Sequence, residues 1–271
     1  MKAILTDTTK CVGCRECVTA CKKVNQLEPE VPRRWSLSDG LSARNWTSVL
    51  RVEGEHYVRK QCRHCLDPAC VSVCPVGALT RSAEGAVIYD ASRCMGCRYC
   101  MMSCPYGIPR YDWDHPNPYI RKCTLCHERI ARGEQPACTE ACPTKATIFG
   151  DRDELLAEAK RRIREAPNLY VPRVWGEHEV GGTAVLYISD IDLSFLANGR
   201  ADEERALPTT TDLVMESVPF TFVGVGAALA GLYWIIDRRN KVMEERIQAH
   251  EEEKAAGEQG AEESAAEDHD G

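Results

Sequence analysis

Residues 11–21 read CVGCRECVTAC: four cysteines inside eleven residues, spaced C-x2-C-x2-C-x3-C and followed by Lys22. The same closing pattern recurs three times, each time with proline where Lys22 stands. Cys62, Cys65, Cys70 and Cys74 precede Pro75; Cys94, Cys97, Cys100 and Cys104 precede Pro105; Cys123, Cys126, Cys138 and Cys142 precede Pro143. Only the gap between the second and third cysteines changes, to four residues in group two and eleven in group four. A unit repeated along a chain marks a repeated structural device, so the four groups are read together.

All 16 cysteines of the 271-residue chain lie in these groups. A disulfide scaffold would be shorter and secreted, with its cysteines scattered; tight groups of four suit metal thiolates. A [4Fe–4S] cube offers four iron corners, each wanting one soft thiolate. A C-x2-C-x2-C turn reaches three of them, and in two-cluster arrangements the last cysteine of the run ligates the neighbouring cluster. Cys11, Cys14 and Cys17 are therefore expected to grip one cluster and Cys21 to reach another. Lys22 removes no ligand; it only loosens the turn. Sixteen thiolates then fill four cubes. Zinc is the rival, but structural zinc sites usually show two separated C-x2-C pairs. With the thiolates complete, His64 and His127 read as residues beside ligands or at the surface. Arg93, Arg98, Arg121 and Lys122 sit next to ligands, either favouring a reduced, more negative cluster or standing as ordinary solvated charges. No nucleophile–base pair, phosphate loop or paired catalytic carboxylates stand out. The chemistry expected is electron transfer, without catalysis by this chain.

The net charge of −7 conceals a division: residues 242–271 hold eleven acids against Arg246 and Lys254, leaving the remainder at +2. No basic stripe suggests nucleic acid. Ten residues precede Cys11, too few for a cleavable signal peptide. AVIYD (86–90), ATIFG (146–150) and AVLYI (184–188, after Gly181 and Gly182) read as strands. Residues 22–61 form an insert with Trp35 and Trp46, and residues 105–122 a shorter one with Trp113; both read as lids on a core ahead of docking surfaces. Asp151 and Glu154 suggest a capped start to a helix that Pro167 stops, with Leu155, Leu156, Ala159 and Ile163 on its inner face. Ser217–Ile236 is twenty residues without a charge, enough at about 1.5 Å per residue to cross a bilayer core of about 30 Å. A buried core helix is the alternative. Tyr233 and Trp234 suit the interface, and Arg238, Arg239 and Lys241 beyond it place the C-terminus in the cytoplasm and the cysteines on the periplasmic face. Gly224, Gly226, Ala227, Ala230 and Gly231 permit close approach of another helix.

The expected fold is α+β: a ferredoxin-type iron–sulfur domain over 1–150 with inserts 22–61 and 105–122, and a helix–strand extension and linker over 151–212. A single transmembrane helix over 213–240 and an acidic, disordered tail over 241–271 follow.

Over residues 1–240 these features resemble the iron–sulfur (beta) subunits of membrane-bound respiratory oxidoreductases. The resemblance rests on CRHCLDPACVSVCPVGAL (62–79), CMGCRYCMMSCPYGIPRYD (94–112), KCTLCHERIARGEQPACTEACPTKATIFG (122–150) and VGGTAVLYI (180–188). LSARNWTSV (41–49), with KCTLC and GGTAVLYI, looks most like formate dehydrogenase beta subunits, with hydrogenase electron-transfer subunits close behind. The resemblance implies tandem ferredoxin-like modules of two clusters each, group one pairing with group four and group two with group three. Cys142 would complete a first set with Cys11, Cys14 and Cys17; Cys21 a second with Cys123, Cys126 and Cys138. Cys104 would complete a third with Cys62, Cys65 and Cys70; Cys74 a fourth with Cys94, Cys97 and Cys100. Some relatives replace a cysteine and hold a three-iron cluster; sixteen here imply four [4Fe–4S] clusters. Also implied are a catalytic subunit with molybdenum or tungsten, or a nickel–iron hydrogenase, and an integral membrane partner, cytochrome b or similar, that reduces quinone. Export alongside a catalytic subunit bearing a twin-arginine signal would follow. The same wire reversed would feed a reductase; a reading of another class is a non-redox, metal-stabilised scaffold.

Overall fold

The first strand, β1 (Lys2–Asp7), is buried from Ala3 onward because it lies at the centre of a sheet. β8 (Thr147–Asp151) pairs with it antiparallel and β9 (Val185–Ile188) parallel, in the order β8-β1-β9. Strand side chains alternate between faces, and this sheet separates two apolar clusters accordingly. Ala3 and Leu5 join Ala184, Leu186 and Ile188 against helix α6 (Arg152–Glu165), which presents Leu155 and Ala159. Ile4, Val185 and Tyr187 face the other way, among Cys62, Cys123, Leu125 and Cys138.

The computed structural model describes residues 1–29, 38–52, 54–113 and 119–267, with side chains through 252 and at 254; Trp35 falls outside them. Two compact units divide the chain, Met1–Thr210 and Thr211–Gly271. Within the first, four short helices carry the cysteine groups: α1 (Glu16–Val24), α2 (Ala69–Ser72), α3 (Tyr99–Ser103) and α5 (Ala137–Glu140). α1 packs on α5 and α2 on α3. A further helix, α4 (His127–Ala131), fills the long gap of group four. Three antiparallel hairpins cover these helices: β2 (Thr47–Arg51) with β3 (Tyr57–Gln61), β4 (Leu79–Arg81) with β5 (Val87–Tyr89), and β6 (Arg110–Tyr111) with β7 (Ile120–Arg121). Of residues 151–212, read from sequence as an extension and linker, those up to Thr210 fall in the same unit, since β9 completes the central sheet.

α6 begins where the sequence placed it, but Asp151 makes no side-chain cap. Its carboxylate meets Lys2 Nζ at 3.0 Å and the N-terminal amine at 3.8 Å, because the β1–β8 register puts Lys2 opposite Asp151.

The second unit is helical, with α7 running from Pro208 to Glu267. It is the one described helix long and apolar enough to cross a membrane, and none of its apolar stretch is buried within the protein. Helix continues into the acidic run, where the sequence reading expected disorder after residue 240. Glu, Lys, Ala, Gln and Arg dominate there and are strong helix formers, and Lys241 pairs with Asp237 one turn back at 2.9 Å.

Candidate metal centres

Each cysteine group folds into the same local device. The third cysteine is the second residue of its short helix (Cys17, Cys70, Cys100, Cys138), and the fourth follows four positions later, one helical turn on. The residue before the second cysteine has positive φ in every group: Gly13 at 70°, His64 at 48°, Gly96 at 74° and Leu125 at 57°. Two of these are not glycine, and a left-handed backbone costs a side-chain-bearing residue free energy. Such turns gather backbone N–H groups into a concavity that suits an anion, a geometry found at iron–sulfur sites. In group one glycine is required for a second reason, since a Cβ on Gly13 would lie 2.6 Å from the Tyr57 ring.

The proline after the closing cysteine has a visible consequence. α2, α3 and α5 stop before it, and the backbone turns so that the fourth N–H beyond the cysteine meets its sulfur. Ala78 donates to Cys74 Sγ at 3.2 Å and Ile108 to Cys104 Sγ at 3.5 Å, and the N–H of Ala146 likewise acts on Cys142. With Lys22 in place of proline, α1 continues through Val24. The residue four beyond Cys21 is Asn25, whose side-chain Nδ2 supplies a donor to Cys21 Sγ at 3.6 Å.

The folding of the groups brings together thiols far apart in sequence. Cys21, Cys123, Cys126 and Cys138 line one space, walled by Ile4, Trp46, Leu125 and Pro136. Cys74, Cys94, Cys97 and Cys100 line another, walled by Leu79, Tyr89, Tyr111 and Ile120. Cys11 lies in the field of Cys142 and Cys14, and Cys17 in that of Cys11 and Cys14. Cys65 and Cys70 both lie in the fields of Cys62 and Cys104.

Burial, and then the neighbouring thiolates, push these thiols upward: Cys17 to about 11, and Cys21, Cys70 and Cys100 to about 12. Cys142 goes the other way. Burial raises it, but the N–H of Thr147, the hydroxyl of Thr144 and the N–H of Ala146 outweigh that effect. Thiols crowded like this keep their protons unless a cation displaces them. Among the described residues no three Cys, His, Asp or Glu side chains are placed to hold a metal ion. Four soft sulfurs facing a shared space fit a [4Fe–4S] cluster better than a zinc ion.

His64 is fully buried rather than superficial. Its Nδ1 accepts the Val87 N–H at 2.9 Å, and burial followed by the charges of Lys122 and His127 holds it well below the usual imidazole range. Lys122 is buried too, and its Nζ donates to the carbonyls of Val87 and Cys123. Arg93 pairs with Asp90 at the surface, and Arg98 lies over Trp113 at 4.4 Å; Arg121 is half-buried on β7. Sequence reading missed three buried polar side chains of the 22–61 insert and the loop after it: Arg59, Gln61 and Arg63. Arg63 stacks on Tyr187 at 3.9 Å. The one sequence signal was alternation in YVRKQ, which puts Val58 and Lys60 on the face opposite Arg59 and Gln61.

Four thiol groups on this α+β scaffold define an iron–sulfur protein of the electron-transfer kind. Residues 54–152 match the model of a 4Fe-4S dicluster domain. A protein of Nitratidesulfovibrio vulgaris is 40% identical over 93% of this chain and 72% of its own length. The hydrogenase-2 operon protein HybA of Escherichia coli O157:H7 is 38% identical over 88% of this chain and 84% of its own. The iron-sulfur subunit of the nitrate-inducible formate dehydrogenase of Escherichia coli K12 is 34% identical over 92% and 90%. The chain belongs to this family, the iron–sulfur subunits of formate dehydrogenase- and hydrogenase-type complexes.

Proposed function

We propose that the chain carries electrons, one at a time, between a catalytic oxidoreductase subunit and a quinone-reducing partner in the membrane, using four [4Fe–4S] clusters held by the four sets of thiolates. When bound, such clusters supply reversible one-electron capacity.

The observation that carries this reading is the contiguity of the sets. Cys17 of the first set lies in the field of Cys138 of the second. Cys123 of the second lies in that of Cys62 of the third, and Cys70 of the third in that of Cys100 of the fourth. Such a series is what a relay needs and what a scaffold with independent structural metals does not. The side chains around it hold thiolates, exclude water and donate N–H groups to sulfur; none is arranged as a nucleophile with its base. In this reading the chain is the non-catalytic member of its complex, in keeping with its likeness to iron–sulfur subunits.

LSARNWTSV and GGTAVLYI point to a formate dehydrogenase as the catalytic partner. The higher identity to the hydrogenase-2 operon protein favours a nickel–iron hydrogenase as the second reading. α7 spans the membrane in this reading, with Arg238, Arg239 and Lys241 on the cytoplasmic side and the cysteine unit on the periplasmic side. A tagged chain is drawn from gently solubilised native membranes, and its iron, sulfide, molybdenum, tungsten and nickel are measured. Iron and sulfide with molybdenum or tungsten, and clusters reduced by formate, are the expected result. Nickel assigns the hydrogenase reading; a chain without iron and sulfide refutes both.

A further inference from the structure

Arg59 is 1% exposed, yet no carboxylate is its partner among the described residues. Its Nη2 donates to Gln61 Oε1, while its Nε and Nη1 find no acceptor. The backbone around it is firmly placed: Arg59 pairs with Val49 across the β2–β3 hairpin, and its carbonyl accepts the Tyr187 hydroxyl at 2.7 Å. A guanidinium buried without a counter-ion loses its hydration uncompensated, so a counter-charge must stand near. The anionic groups around it are thiolates of two sets at once. Cys11 and Cys17 belong to the first, and Cys21, Cys123, Cys126 and Cys138 to the second. Gln61, which Arg59 holds, lines the same space as those last four cysteines, and its Nε2 finds no acceptor.

We propose that Arg59 is the shared counter-charge of the first and second clusters, making both easier to reduce. This rests on the electron-transfer reading above. Each reduction adds one electron, and hence one negative charge, beside a cation that is present whatever the redox state. No bond to Arg59 forms or breaks and no proton moves. Arg59 acts through the clusters as a positioning residue. Lys122 acts on Cys70 of the third set, with its Nζ on the carbonyls of Val87 and Cys123; Arg129 also acts on Cys126, but it is paired with Glu134 and Glu140.

The test compares Arg59→Met, Arg59→Gln and Arg59→Lys with the unaltered chain in the intact complex. Each is reduced stepwise with dithionite and followed by electron paramagnetic resonance, with iron and sulfide measured alongside. Arg59→Met and Arg59→Gln are expected to lower two of the four midpoint potentials by at least tenfold in the reduction equilibrium, ~59 mV for a one-electron couple. Arg59→Lys, which keeps the charge, is expected to retain both within half that shift. If Arg59→Met does not assemble, Arg59→Gln carries the comparison, keeping an N–H donor without the charge. Unchanged potentials at full iron content, equal shifts in all four couples, or a Lys variant that moves with the Met variant would each overturn the proposal. A wild-type complex without iron and sulfide would instead overturn the electron-transfer reading itself.

Discussion

Gly13→Ala tests the local device in group one, where the structure supplies both contributions to its cost. Gly13 has φ 70°, and an alanine in the left-handed region costs about 1–2 kcal/mol, partly offset by about 0.4–1 kcal/mol of lost freedom in the unfolded chain. The new methyl would also lie 2.6 Å from the Tyr57 ring, and forcing an extra group into a packed site costs about 1–3 kcal/mol. The sum is about 3 kcal/mol. At about 2–4 °C per kcal/mol for a unit of this size, the thermal midpoint of the iron-loaded chain should fall by about 6–12 °C. Circular dichroism and visible absorbance, read together, measure that midpoint. The two contributions separate in a double-mutant cycle with Tyr57→Ala: only the backbone part, about 1 kcal/mol, should remain, giving a coupling of about 2 kcal/mol. Additive effects, or a Gly13→Ala chain as stable as the original, would refute the claim that Tyr57 excludes a side chain there.

Three further outcomes are expected. Cys21→Ser and Cys123→Ser, though one residue comes from the first group and the other from the fourth, should alter the same paramagnetic signal, and Cys142→Ser a different one; separate signals altered by Cys21→Ser and Cys123→Ser would contradict the crossed arrangement of the thiolates. Asn25→Leu should lower one midpoint potential by roughly 20–45 mV, the equivalent of a hydrogen bond of about 0.5–1 kcal/mol, and a redox titration that finds no shift denies the Asn25 amide its role at Cys21. Gly182 has φ 84° and ψ 162°, a region open essentially to glycine, and a Cβ there would meet the Glu177 carbonyl at 2.8 Å. Gly182→Ala should therefore cost about 1–3 kcal/mol or more, measured as a lower thermal midpoint. It should also loosen the Cys62–Cys65 loop, because the Gly182 carbonyl accepts the Leu66 N–H at 3.0 Å and Thr183 bridges Cys65.

The amino-acid sequence alone determined the features that depend on residues close together in the chain. The C-x3-C spacing places two cysteines one helical turn apart, and a short helix ends each group. The apolar face of Leu155, Leu156, Ala159 and Ile163 announces α6, and Val185–Ile188 a strand. An uncharged run of twenty residues sets a helix of membrane-crossing length. Tertiary structure decided what lies between distant segments. β1, a strand whose six residues carry no turn or alternation signal, pairs with β8 and so carries residues 11–21 beside residues 123–142. The left-handed turns at His64 and Leu125 are equally invisible from spacing, since leucine disfavours them and a histidine by itself does not mark one. Beyond the alternation in YVRKQ nothing in the sequence singles out Arg59, which the β2–β3 hairpin buries among thiols from two groups. The physical reason is common to all three: local propensity and periodicity act over one or two turns of chain. Strand register, burial and the sharing of a counter-charge are settled only when surfaces far apart in sequence close on one another and exclude water.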